Sequence, residues 1–253
     1  MKYFSSLFFS LFVFVHSGLS QSSEANPMSF DVYRIYPALS FPIDTFNKAE
    51  TIIDVNDRFK PEWVKEYVSV EFTASKSGKT YSATGTNQYI TDEQKYLVQH
   101  ADVNTKILVK VNYYPDNNLS QNDIQEERFA FHIDPENEAQ FAGEHSDLLA
   151  YFKQKVIDEI PEDLFGLYTL AAVAFTVNAE GDIVDVNIAM PTGDAVVDTL
   201  IYDAVCKMDK WKPAQYKDGK RAEQEFAFTV GNMKSCNTNL INIRAGLRYE
   251  DEN

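Results

Sequence analysis

The hydrophobic periodicity changes once along the chain, near residue 139, and this change most constrains the fold. Before it, short segments alternate apolar and polar residues, which is typical of half-buried strands. After it, amphipathic helical segments and strands follow in the order helix, strand, strand, helix, strand. Helices packed on an antiparallel three-stranded sheet are the simplest fold with that order. The sequence therefore predicts an α+β protein with two domains of different build.

The first predicted domain covers 61–138, with an alternative start near residue 30, and is a mainly-β, sandwich-like unit. Its alternating segments are 68–72, 80–84, 107–113 and 129–133. The sequence Lys76-Ser77-Gly78-Lys79 predicts a hairpin turn between the first two. Residues 91–94 have the capping-box form and predict a short helix behind them. The preceding residues 21–60 are interpreted as a leader and an irregular segment.

The second predicted domain covers 139–235, and 236–253 is interpreted as a C-terminal tail. Its helices are predicted near 146–156 and 197–208, and its strands near 171–177, 184–188 and 222–230. The second helix has one continuous apolar stripe at helical spacing. A weak fourth strand is possible at 239–244. The last main strand is expected to lie at an edge of the small sheet, free or covered only by 239–244.

Residues 1–20 have the features of an export signal rather than of a folded element. Lys2 precedes an apolar run of thirteen residues, and Gly18 and Ser20 fit a signal-peptidase site. The run is short for a helix that must cross about 30 Å of hydrocarbon. Cleavage would leave an exported chain that begins at Gln21. An uncleaved membrane anchor remains the alternative.

The composition and the motifs argue against several classes of function. There are 38 acidic and 23 basic residues, a net charge of −15, which disfavours nucleic-acid binding. The chain has no His-Glu-x-x-His, Cys-x-x-Cys or Gly-x-Ser-x-Gly motif and no glycine-rich phosphate loop. We therefore predict a protein without catalytic residues, without a metal site and without a cofactor.

The two cysteines, Cys206 and Cys236, allow one disulfide. Cys206 lies near the end of the second predicted helix, and Cys236 lies just beyond the strand on which that helix should pack. Both residues could meet at one end of the sheet, and an exported chain permits the bond. Two unpaired thiols are an equally good interpretation.

Several motifs of the second half occur in an order that resembles the C-terminal domain of the energy transducer TonB. They are AQFAG at 139–143, VAFTVNAEGDIVDVNI at 173–188, MDKWKPA at 208–214 and FAFTVG at 226–231. The resemblance covers about 95 residues. A weaker similarity links residues 75–114 to β-rich modules that precede such domains.

Four residues of these motifs are expected to determine the fold. Gly181 makes the turn between two strands, and Asp198 starts the second helix, where its carboxylate suits the positive end of the dipole. Trp211 covers the seam between helix and sheet. Pro213 ends the helix and sets the path to the last strand.

The resemblance implies a periplasmic module that binds a protein partner, such as an outer-membrane receptor, by β-strand addition. The partner would pair with the edge of strand 222–230, next to Glu223, Glu225, Ala227 and Thr229. The alternative is an energy transducer held in the inner membrane by an uncleaved N-terminal helix. A homodimer is possible. The chain departs from a full transducer because it lacks a proline-rich spacer and has a β-rich domain in its place.

Overall fold

The computed structural model describes residues 28–117, 123–161, 170–209 and 211–231. The predictions for the export signal, for Cys236 and for a strand at 239–244 fall outside these residues. The predicted C-terminal tail also falls outside them.

The described residues form short and long strands interleaved with helices. The strands are β1 Ser29–Arg34, β2 Ser40–Pro42, β3 Val64–Lys76, β4 Lys79–Gly85, β5 Ile107–Pro115, β6 Gln125–Asp134, β7 Gln140–Phe141, β8 Leu170–Val177, β9 Ile183–Met190, β10 Trp211–Lys212, β11 Ala214–Gln215, β12 Arg221–Ala222 and β13 Gln224–Gly231. The α-helices are α1 Ile43–Lys48, α2 Ile52–Val55, α3 Asp92–Gln99, α4 His145–Lys155 and α5 Ala195–Cys206. Two 3-10 turns occupy Pro61–Trp63 and Ile157–Glu159. The predicted α+β class is confirmed.

The first domain is built on one five-stranded sheet in the order β2-β6-β5-β3-β4, in which only the β2–β6 pair is parallel. Its buried face carries Phe72 and Phe131, and helix α1 adds Phe46 to the same core. The opposite face is mixed: Lys110 pairs with Glu71 on it at 2.9 Å, and Leu108 is exposed beside them. The expected sandwich is wrong for the described residues, because helices rather than a second sheet cover the apolar face.

The second domain has a four-stranded antiparallel sheet in the order β1-β13-β8-β9. Helices α4 and α5 cover one face, where Phe152 and Ile201 join Phe228 in a single core. The rings of Phe152 and Phe228 stack with their centroids 3.8 Å apart. The predicted order of helix, strand, strand, helix, strand is confirmed by α4, β8, β9, α5 and β13.

Strand β1 corrects two predictions. Residues 28–60 are not irregular, and the outer edge of β13 is not free, because Ser29–Arg34 pair with it over six residues. The side chains of Phe30 and Val32 pack against the core of the second domain. The second sheet therefore extends beyond the predicted domain limits of 139–235. Local patterns could not reveal this, since a strand of six residues finds its partner about 200 residues away.

The two domains meet along a polar junction. Asn137 and Gln215 exchange backbone hydrogen bonds of 3.1 and 2.8 Å. The Tyr216 hydroxyl donates to the carbonyl of Ile133, 2.9 Å away. These contacts connect the end of the first sheet to the β11–β12 hairpin and hold one domain against the other.

Candidate functional site

The edge of β13 that was predicted to bind a partner strand is already paired with β1. Hydrogen-bonded and non-hydrogen-bonded pairs alternate in an antiparallel ladder. The Ile35 amide donates to the Glu225 carbonyl at 2.8 Å, one residue beyond the end of β1. By the alternation, the amides of Ala227 and Thr229 also point toward β1. The resident strand therefore uses the main-chain groups that were predicted to receive a partner.

The four predicted partner-binding residues lie together along this strand but differ in exposure. Glu223 is exposed just before β13, and its carbonyl accepts from the Asn104 side chain at 3.3 Å. Glu225 is also exposed. Ala227 and Thr229 are only 2% and 3% exposed and lie opposite residues of β1. In the described structure, an incoming strand reaches them only if β1 leaves.

Arg34 anchors the end of β1 at the junction between the domains. Its side chain is 8% exposed; Nη2 lies 2.7 Å from Asp134 Oδ1, and Nη1 pairs with Glu138. The guanidinium lies over the Tyr36 ring at 4.3 Å, and the Tyr36 hydroxyl donates to Glu138 at 3.1 Å. Burial by itself lowers the pKa of Arg34, but Glu138 and Asp134 outweigh burial and raise that pKa. We call these four residues the arginine anchor.

The β8–β9 turn at Gly181 lies directly against the backbone of Trp211 on β10. Gly181 has φ +83°, and a Cβ built on it would lie 2.1 Å from the Trp211 carbonyl oxygen. The Trp211 amide donates to the Gly181 carbonyl at 2.9 Å. The Trp211 ring is 6% exposed and packs against Phe175 and Phe226. The glycine is required here because any side chain would strike the backbone of the facing segment.

The structure also tests the predictions made for Asp198 and Pro213. Asp198 lies in the first turn of α5 but does not start the helix, which begins at Ala195; its Oδ1 atom accepts from the amide and the hydroxyl of Thr192, both at 2.7 Å. Asp194 is the cap of this helix and accepts from the amide of Val196 at 2.9 Å. The prediction that Pro213 ends the helix is wrong, because α5 ends at Cys206. Pro213 instead separates β10 from β11.

Cys206 is exposed at the last residue of α5. Its predicted partner Cys236 lies outside the described residues, so the disulfide stays a prediction.

A groove between β4 and α3 is a second candidate site, which was not predicted from the sequence. It has a volume of about 580 Å³. Tyr96 and His100 stack with ring centroids 3.9 Å apart, and Lys76 Nζ lies 5.5 Å from the Tyr96 ring centroid. Tyr96 is 57% exposed and Tyr81 on β4 is 48% exposed. The available signal was two aromatic side chains four residues apart on the polar face of a predicted helix.

Asp102 fixes the β3–β4 hairpin beside this groove. Its carboxylate accepts from the amide of Ser77 at 2.8 Å and from the amide of Gly78 at 3.2 Å. It also accepts from the Ser75 hydroxyl at 3.2 Å. The two backbone bonds lower the pKa of Asp102 below its ordinary value. The ionised carboxylate therefore stabilises the turn.

We expect Asp102→Asn to lower the stability of the protein near neutral pH and to flatten its acid dependence. Since the pKa is lower in the folded state, the stabilisation is complete above the unfolded-state value of about 3.9. It is lost as the pH falls through the folded-state value. Urea unfolding of both proteins between neutral and acidic pH measures the effect. The exposed Asp116→Asn variant is the control, and equal acid dependence of wild type and Asp102→Asn would contradict the expectation.

The described residues hold no group of three or more His, Cys, Asp or Glu side chains that could ligate a metal ion. Within the same residues, no helix combines the length and the apolar character needed to cross a bilayer. Comparison of the chain with protein-family models, with curated proteins and with solved structures finds no match.

Proposed function

We propose that this chain is an exported, non-enzymatic protein-binding module that accepts an extended strand of a partner on β13. In this proposal β1 is the resident occupant of the acceptor edge. The supporting observation is the β1–β13 ladder, in which a segment distant in sequence pairs with six residues of β13. The order of sequence motifs that resembles TonB C-terminal domains points to the same mode of binding.

Strand β1 is less buried than β13, the strand with which it pairs. Its residues are half-buried or exposed, whereas seven of the eight residues of β13 are buried. No described strand pairs with the outer side of β1. There the Val32 amide donates to the Asp31 carboxylate at 2.7 Å, and that carboxylate also lies 3.1 Å from His145 Nε2. Phe30 and Val32 are partly buried against the core, and Met28, just before β1, is buried in it. The arginine anchor holds the other end of β1.

A separate partner fits this edge better than a second copy of the chain. Only residues 37–39 separate the arginine anchor from β2, and three extended residues reach about 10 Å. The Leu39 carbonyl is already bound by the His132 amide at 3.0 Å. An exchanged β1 would therefore need the two domains to separate at their junction. A partner segment without this tether has no such constraint.

The predicted export signal places the chain in the periplasm, where the resemblance implies an outer-membrane receptor or another envelope protein as the partner. Strand addition uses backbone groups and requires no catalytic side chains, so this mode of binding is consistent with a non-enzymatic role.

We expect loosening of the arginine anchor to increase binding of a strand supplied in trans. The probe is a fluorescein-labelled peptide of residues 28–36, titrated against the full chain by fluorescence anisotropy. Arg34→Ala should bind it at least about tenfold more tightly than wild type, because the competing resident strand is weakened and the peptide supplies its own arginine. Arg128→Ala removes an exposed arginine on β6 and should bind like wild type.

Ala227→Pro provides the opposite test. Proline at this position removes an amide that faces β1 but leaves the donors that face β8. Combined with Arg34→Ala, it should abolish binding of the peptide, and circular dichroism checks that the variant is folded. Equal peptide binding by wild type and Arg34→Ala, or unchanged binding by a folded Ala227→Pro variant, would overturn the proposal.

A further inference from the structure

We propose that the groove between β4 and α3 is a second and independent docking surface, which binds an extended segment of a partner protein along the free edge of β4. This surface belongs to the first domain and does not depend on the exchange of β1. Three observations carry the proposal: the direction of the edge amides, the wall of the groove and the distribution of charge at its ends.

The edge of β4 presents main-chain groups in a known direction. Lys76 and Lys79 close a two-residue turn, Ser77-Gly78, in which both residues have positive φ. Such a turn makes its flanking residues a hydrogen-bonded pair. By the alternation, the backbone groups of 80, 82 and 84 point away from β3. No other described strand pairs with this edge.

Helix α3 supplies a wall beside that edge. Its residues Tyr96 and His100 stack together, and Leu97 lies below them with 8% exposure. Tyr81 and Ala83 line the β4 side of the same groove. A strand added to β4 places every second side chain on this face of the sheet, where it contacts the aromatic wall. Main-chain pairing then supplies affinity, and the wall supplies specificity.

The charges at the two ends of the groove restrict which peptides can bind in it. Lys76 and His100 line one end, and Asp92 and Glu93 line the other, at the start of α3. The complementary ligand is an extended segment with an acidic residue beside Lys76 and a basic residue beside the two carboxylates. Between them it carries apolar or aromatic residues at alternate positions. Opposite charges at the two ends also favour one register over its neighbours.

The test is selection on the full chain from a displayed library of random peptides of about ten residues, the upper length of ordinary strands. Enriched peptides are synthesised and titrated against wild type and three groove variants. Ser82→Pro removes an outward amide, whereas Ser82→Ala keeps that amide and is its matched control. Tyr96→Ala removes the wall, and Tyr202→Ala removes an exposed tyrosine on α5 outside the groove.

We expect enriched peptides to carry the two opposite charges and to lose affinity at least about tenfold with Ser82→Pro and with Tyr96→Ala. Ser82→Ala and Tyr202→Ala should bind within about twofold of wild type. Circular dichroism and thermal unfolding confirm that each variant is folded, since proline is tolerated where an edge amide faces solvent. If no enriched peptide loses affinity with Ser82→Pro and with Tyr96→Ala, the proposal is overturned. Self-association of the chain through this edge would also overturn it.

Discussion

Gly181→Ala is expected to lower the free energy of unfolding by about 2–5 kcal/mol, the sum of a left-handed backbone penalty and an overpacking penalty. The new methyl carbon would lie 2.1 Å from the carbonyl oxygen of Trp211 and 3.2 Å from its carbonyl carbon. Both atoms belong to the backbone, so a side-chain rotation cannot relieve the contact. The turn between β8 and β9 and the strand that carries Trp211 must therefore move apart.

Gly193→Ala is the matched control for this substitution. Gly193 has φ +91°, but a Cβ built on it would have no atom within 4 Å. Its cost should be limited to the backbone penalty of about 1–2 kcal/mol. Chemical denaturation of the two variants and wild type gives the comparison, and equal losses for the two glycines would show that the contact with Trp211 is not the cause.

Phe228→Ala is expected to cost about 3–5 kcal/mol, the usual effect of removing a fully buried aromatic ring. Phe228 has 0% exposure and stacks on Phe152. The loss should appear as an earlier unfolding transition of the second domain. The measurement is urea unfolding followed by tryptophan fluorescence, since Trp211 belongs to the same core.

Phe30→Ala measures how much the packing of β1 on the core contributes to the stability of the protein. Phe30 is half-buried and its ring centroid lies 6.5 Å from that of Phe228. A loss of about 1 kcal/mol is expected, as for an ordinary substitution outside the core. A loss as large as that of Phe228→Ala would make β1 an integral part of the core and would argue against its displacement.

The long periodic segments of the second domain were predictable from sequence. The apolar stripe at 197–208 gave a helix close to the observed Ala195–Cys206, and the alternation at 222–230 gave a strand close to Gln224–Gly231. These segments are long enough for the periodicity to show which face is buried. Helices α1 and α2, with six and four residues, are too short for a helical period to appear, so of the cover of the first sheet only α3 was predicted.

The candidate sites were predictable only in part. Alternation correctly placed Phe226 and Phe228 on the core face of β13 and Ala227 on the other face. The pairing of β1 with the edge of β13 was not predictable, because strand pairing at long sequence separation leaves no local signal. The groove beside β4 was missed for a related reason: the side chains of Tyr81 and Tyr96 come together only through the packing of α3 on the sheet.

The pairing of β1 with β13 also sets the timing of folding during synthesis. Strand β1 is made near the start of the chain and β13 near its end, with roughly 200 residues between them. At about 5–20 residues per second, β1 waits about 10–40 s for its partner strand. During that interval this amphipathic strand has no partner strand, and its long-range pairing is slow even once the partner has been made. The second sheet therefore closes only late in synthesis, after β13 has been made.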